Sequence, residues 1–89
     1  MVTKKIIVKG KVQRVFYRQS ARLKAKEAGI TGTIENLDNG NTVVIIATGN
    51  EDQVNTFIEW CKQGPPAAEV KGIEVVTLTL QEYRNFSIL

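Results

Sequence analysis

Residues 30–48 read ITGTIENLDNGNTVVIIAT, the longest stretch of the chain with a strand–turn–strand pattern. Its β-branched residues fall into two runs, Ile30–Leu37 and Asn41–Thr48. The segment between them, Asp38-Asn39-Gly40, is a strong signal for a hairpin turn. The stretch therefore predicts two antiparallel strands that are neighbours in a sheet.

A helical segment lies on each side of this hairpin. Upstream, apolar residues at helical spacing predict a helix over about Tyr17–Ala28, and Gly29 is a natural stop for it. Downstream, Asn50-Glu-Asp-Gln53 resembles a capping box that opens a helix over about Glu51–Gln63. The apolar stripe of this second helix includes the single cysteine, Cys61.

Strand patterns flank the helices in turn. Lys4–Gly10 and Val70–Leu80 read as strands, with Gly72 as a possible bulge, and Asn85–Leu89 reads as a short last strand. The order β-α-β-β-α-β predicts an α+β, ferredoxin-like sandwich: an antiparallel sheet with both helices packed on one face. Residues 1–89 are expected to form one domain. The fold alone does not decide an activity, because many functions share it.

The charge distribution is strongly asymmetric. Residues 1–26 contain nine Lys or Arg and no acid, whereas residues 27–89 contain nine acids and three basic residues. Such a division indicates an anionic partner: phosphate, nucleic acid or a membrane surface. A solvated basic face is the alternative explanation.

Other classes of protein are disfavoured by composition. No apolar run approaches the ~20 residues of a membrane span. One cysteine allows no internal disulfide and suits a reducing cytoplasm, and the absence of histidine makes a zinc site very improbable. We therefore expect a cytoplasmic protein that binds neither metal nor cofactor and does not associate with a membrane. We also expect a monomer.

The connection between the first strand and the first helix carries the chemistry. Backbone N–H groups at a helix N-terminus attract anions before any side chain is counted. Arg18 lies in the first helical turn, where a cation opposes the helix dipole. An anion held between the guanidinium and the N–H groups removes that conflict, and Arg can grip a phosphate with two hydrogen bonds. Alternatively, Arg18 points into solvent or pairs with Glu35 or the C-terminus.

The segment Gly10-Lys-Val-Gln-Arg-Val-Phe-Tyr-Arg18 resembles the signature of the acylphosphatases, Gly-x-Val-Gln-Gly-Val-x-Phe-Arg. The likeness continues through Gly29-Ile-Thr-Gly-Thr-Ile-Glu-Asn36, Gly64-Pro65-Pro66 and the closing Tyr83–Ile88. The resemblance implies a metal-independent hydrolase that cleaves small acyl phosphates to a carboxylate and phosphate, with inorganic phosphate or sulfate as a ligand. It implies that Arg18 and Asn36 are the catalytic residues, with Asn36 orienting the attacking water.

The resemblance also implies which residues bind the phosphoryl group, through loop N–H groups and the guanidinium: Gln13, Arg14, Val15, Phe16, Tyr17 and Arg18. Asn36 has an alternative reading as a strand-end residue that satisfies the Asp38–Gly40 turn. Departures from the family pattern are Tyr17 in place of the usual Phe, Thr33 in place of an aromatic, and Arg14 in place of the second loop glycine.

Arg14 leaves several possibilities open. A glycine there could adopt a positive φ, which Arg reaches only with strain. Either the loop is strained, or it is reshaped and catalysis is impaired, or Arg14 is an added phosphate ligand.

Three other functions compete with hydrolysis. The chain could be a catalytically weak or inactive phosphate-binding relative. It could resemble the acylphosphatase-like module of hydrogenase-maturation carbamoyltransferases, which an isolated chain of this length disfavours. A nucleic-acid-binding domain of the same topology would stack bases on strand aromatics, and the segments Lys4–Gly10 and Asn41–Thr48 contain none. We therefore expect no nucleic-acid partner.

Overall fold

The computed structural model describes residues 1–89, and its elements follow the predicted order within two residues at each boundary. The elements are β1 (Val2–Lys11), α1 (Tyr17–Glu27), β2 (Thr31–Asn36), β3 (Thr42–Gly49), α2 (Glu51–Gln63), β4 (Glu69–Leu78) and β5 (Phe86–Ile88). Neither helix has the length and apolar character needed to cross a membrane.

The five strands form one sheet in the order β4-β1-β3-β2-β5. The first four of these strands are antiparallel neighbours, as predicted, but β5 pairs with β2 in parallel. The ferredoxin-like plan is confirmed, and the short last strand makes its sheet mixed. The chain must cross from the β4 edge to the opposite edge, and there β5 runs in the same direction as β2.

The crossing segment is held to the sheet by Gln81. Its carbonyl oxygen accepts hydrogen bonds from the hydroxyls of Thr48 (2.7 Å) and Thr3 (3.3 Å), and its N–H donates to the Thr3 hydroxyl (2.9 Å). These bonds explain why two threonines of the central strands are buried on the face of the sheet that the helices do not cover.

The core lies between the sheet and the two helices. Ile6, Ile45 and Ile34 lie opposite one another on β1, β3 and β2, and all three are fully buried. Each such side chain contributes roughly 1.5–3 kcal/mol relative to an exposed one. The helices cover this face with the predicted stripes, including Tyr17 of α1 and Phe57 of α2. The open face keeps alternate residues such as Ile7 and Val44 half-buried.

The helix ends follow the sequence signals, with one correction. Gly29 (φ 72°) ends α1 in a Schellman motif, in which its own N–H donates to Lys26 O and the Ile30 N–H donates to Ala25 O. Asn50 caps α2, but its side chain accepts from the N–H of Asp52 at 3.0 Å, and Gln53 makes no reciprocal bond. The capping box is therefore only half formed.

Candidate active site

The connection between β1 and α1 has an unusual backbone. Arg14 (φ 62°) and Phe16 (φ 64°) are the two residues other than glycine with a positive φ. Each costs roughly 1–2 kcal/mol relative to a right-handed conformation, because Cβ crowds the following carbonyl oxygen. Arg14 therefore retains the left-handed geometry that a glycine would favour, and the loop is strained at that position. Nothing in the sequence signalled the same geometry at Phe16.

The N–H groups of this loop have no acceptor in the protein. No backbone N–H from Val12 to Gln19 donates to a backbone or side-chain oxygen. The run includes the first turn of α1, whose N-cap residue Phe16 offers no side-chain acceptor and whose first turn has no acid. Donors at a helix N-terminus require a capping group, water or a ligand. The loop is thus a concentrated source of free donors at the positive end of a helix.

The loop borders a pocket of about 150 Å³. Its lining residues are Val12, Arg14, Phe16, Tyr17, Arg18 and Gln19. Four of them were predicted to bind the phosphoryl group, and the sequence did not single out Val12 or Gln19. Gln13 and Val15, which were also predicted, do not line the pocket, although their N–H groups likewise have no acceptor in the protein.

The side chain of Gln13 has a different part in the site. Its Nε2 donates to the carbonyl oxygens of Leu37 (2.8 Å) and Thr42 (2.9 Å), which flank the turn between β2 and β3. Leu37 directly follows Asn36, the last residue of β2. Gln13 therefore ties the loop to the strand end that carries Asn36. Sequence reasoning placed Gln13 in the loop but did not find this bond.

Side chains buried in the core hold the loop in place. Val12 and Val15 belong to the core, and the Tyr17 hydroxyl donates to the carbonyl oxygen of Cys61 at 2.7 Å, which joins α1 to α2. Burial raises the pKa of Tyr17 far above its usual range, and burial also raises the pKa of Cys61 to about 12. Both groups stay protonated near neutral pH, so neither is an activated nucleophile.

Arg18 has no anionic partner in the protein. Its guanidinium makes no hydrogen bond, and the two ion pairs of the structure join Lys24 to Glu27 and Lys62 to Glu59. The alternative pairing with Glu35 or the C-terminus does not occur. The unpaired guanidinium of the half-buried Arg18 lies at the positive end of a helix, beside free N–H donors, and this arrangement favours negative charge in the pocket.

Asn36 ends β2 on the face that the helices cover, since it alternates with the buried Ile34. Its Oδ1 is buried and has no hydrogen-bond partner. The hairpin turn is satisfied instead by Asn39, which accepts from the Asn41 N–H and donates to the Thr42 hydroxyl. The alternative role of Asn36 in the turn is therefore wrong, and its oxygen remains a free, buried acceptor.

The fold and the pocket define a ferredoxin-like protein with a cationic cleft at a helix N-terminus. Comparisons with known proteins agree with this class. The acylphosphatase family model matches residues 4–88. An acylphosphatase of Acaryochloris marina is 48% identical over 85 residues, which are 96% of this chain and 90% of that protein. The chain belongs to the acylphosphatase family.

Solved structures give the same result. The acylphosphatase of Bacillus subtilis superposes with a TM-score of 0.95 at 34% identity, over 100% of this chain and 99% of that one. Full-length HypF, in a phosphate- and nucleotide-bound form, matches 99% of this chain with a TM-score of 0.85 at 26% identity. The match covers only 12% of the HypF chain, so the likeness there is to one part of a larger protein.

The strain at Arg14 has a measurable consequence. We expect Arg14→Gly to be more stable than Arg14→Ala by ~1 kcal/mol, because both remove the guanidinium but only glycine adopts a positive φ freely. We also expect kcat for an acyl phosphate in Arg14→Gly to be at least that of the parent, because glycine keeps the same left-handed turn without the strain. Urea unfolding and steady-state kinetics of the two variants and the parent provide the measurement.

The matched alanine variant separates backbone strain from charge. If both variants have lower kcat and weaker phosphate inhibition than the parent, then Arg14 acts as a phosphate ligand and the strain account is wrong.

Proposed function

We propose that this chain hydrolyses the carboxyl–phosphate bond of acyl phosphates, giving a carboxylate and inorganic phosphate. The observation that carries the proposal is the run of N–H groups from Val12 to Gln19 without acceptors, next to an unpaired Arg18. The chain's relatives named acylphosphatase, at 37–48% identity, support the same reaction.

The phosphoryl group is bound by the N–H groups of Gln13 to Arg18 and by the Arg18 guanidinium. Phosphoryl transfer asks a protein mainly to position the reactants and to stabilise the equatorial oxygens of the transferring group. Free N–H donors held by a strained, anchored backbone do this without reorganising during the reaction. Gln13 contributes its N–H to the ligand and its side chain to the anchor.

Asn36 orients the attacking water. Its Oδ1 is enclosed by protein, whereas its Nδ2 is not and has no partner in the protein. The Nδ2 group donates one hydrogen bond to the water oxygen and leaves a second lone pair of that oxygen free to face phosphorus. The water oxygen forms the new bond to phosphorus, the bond from phosphorus to the acyl oxygen breaks, and the carboxylate leaves with its electron pair. The proton of the water passes to a phosphate oxygen of the substrate, so a basic side chain is not needed.

The choice between an active enzyme and a weak relative depends on Arg14. Its φ of 62° supports activity, since the loop keeps a left-handed turn at that position and is not reshaped around a larger residue. A nucleic-acid role receives no support from β1 and β3, which contain no aromatic residue. A monomeric state and a cytoplasmic location stay predictions.

Hydrolysis of benzoyl phosphate, with and without EDTA, tests the proposed activity. We expect turnover in both conditions, because no three His, Cys, Asp or Glu side chains are grouped to hold a metal ion. No turnover in either condition would reject the proposal. Loss of turnover in EDTA that added metal restores would reject the mechanism.

Cys61→Ser should keep most of the activity, since the thiol is buried and protonated near neutral pH.

Two substitutions separate binding from water positioning. We expect Arg18→Gln and Asn36→Ala each to lower kcat by roughly 10²–10³. Arg18→Gln should also weaken inhibition by phosphate, whereas Asn36→Ala should leave it near the parent value. Because Asn36→Ala removes a buried acceptor that has no partner, its free energy of unfolding should equal or exceed that of the parent.

Steady-state kinetics and urea unfolding of both variants supply the measurement. An Asn36→Ala protein with parental kcat would remove Asn36 from the mechanism, and so would a loss of activity that merely follows unfolding.

A further inference from the structure

A second groove adjoins the pocket of the loop. It has a volume of about 270 Å³ and is lined by Gln19, Arg22, Leu23 and Lys26 of α1 and by Ile88 of β5. Gln19 lines the loop pocket as well, so the two spaces are neighbours along α1. A molecule bound by its phosphoryl group at the loop can therefore extend along α1 into this groove.

A row of cationic side chains runs along α1 from the loop pocket to this groove. Arg18, Arg22 and Lys26 are spaced four residues apart, which places them in one row along the helix. None of the three pairs with an acid. Like charges at this spacing destabilise a helix, and Arg18 also lies in the first turn, where the helix dipole disfavours a cation. The row thus carries a positive charge that the protein does not neutralise.

The groove also offers an apolar surface between its charges. Leu23 is 63% exposed, and Ile88 is half-buried at the sheet edge. Methylene groups of a ligand can pack against these two side chains while the ligand's charged end reaches Arg22 and Lys26. The successive cations lie roughly 6 Å apart along the helix axis, which fits a ligand with a short chain between two anionic groups.

We propose that this groove is a second anion subsite that selects acyl phosphates whose acyl group ends in another negative charge. Arg18 and the loop hold the phosphoryl group, and Leu23 and Ile88 contact the methylene chain of the ligand. Arg22 and Lys26 bind the distal anion. The assignment of the ligand as a substrate rests on the proposed hydrolysis, but the subsite itself is a property of binding.

Two stable phosphonates of nearly identical shape test the subsite. Phosphonobutyrate carries a distal carboxylate, and phosphonobutyramide carries a neutral amide at the same place. Equilibrium titrations of the parent should give a Kd for phosphonobutyrate that is roughly three- to tenfold lower, since two partly exposed charge pairs are gained. The double variant Arg22→Gln/Lys26→Gln should bind the two compounds equally and bind inorganic phosphate as the parent does.

Lys24→Gln is the matched control. It removes one positive charge from the same helix, but Lys24 pairs with Glu27 and lies outside the groove. The preference for phosphonobutyrate should therefore persist in this variant. Any of three results would overturn the subsite. The parent could bind the two compounds with equal Kd, or the double variant could keep the parent's preference for phosphonobutyrate. Alternatively, Lys24→Gln could lose that preference as fully as the double variant.

Measurement of binding keeps this result separate from the proposed reaction. If the parent prefers phosphonobutyrate but does not hydrolyse benzoyl phosphate, the subsite is supported and the hydrolase function is rejected. If it hydrolyses benzoyl phosphate but shows no preference, the function is supported and the subsite is rejected.

Discussion

Backbone N–H groups need acceptors, and those from Val12 to Gln19 have none within the protein. Donors of this kind are left to water or to a ligand, and a run of them at the positive end of a helix favours an anion. The left-handed residues Arg14 and Phe16 belong to the same run, and Arg18 adds a positive charge that no acid neutralises. The rest of the site can be understood as the means of keeping this loop in place.

Three kinds of contact hold the loop. Val12 and Val15 bury their side chains in the core, Tyr17 bonds α1 to α2 through the Cys61 carbonyl, and Gln13 bonds the loop to the β2–β3 turn. The strain of the two left-handed residues persists because these contacts determine the backbone more strongly than local preference does. The core therefore stabilises a conformation that is unfavourable locally, and the proposed function uses this conformation to bind an anion.

The sequence predicted the elements well because their signals are local. Alternating apolar residues, the Asp38–Gly40 turn and Gly29 at the end of α1 each act over a few residues. The parallel pairing of β5 was not predicted, because it depends on where the chain crosses the sheet. The bonds of Gln13 were not predicted either, since they join residues 24 and 29 positions apart. The resemblance to the family pointed to Asn36, but only the packing around it shows that its oxygen is buried without a partner.

The central claim is that the loop N–H groups receive the phosphoryl group, and a phosphate titration followed by amide NMR shifts tests it most directly. The account predicts that the largest shift changes fall on Gln13 to Arg18, and that they saturate with one binding constant. The same titration of Arg18→Gln should perturb the same N–H groups at higher phosphate concentration. Perturbations that fall elsewhere, for instance along Thr42–Gly49, with those of the loop unchanged, would contradict the account.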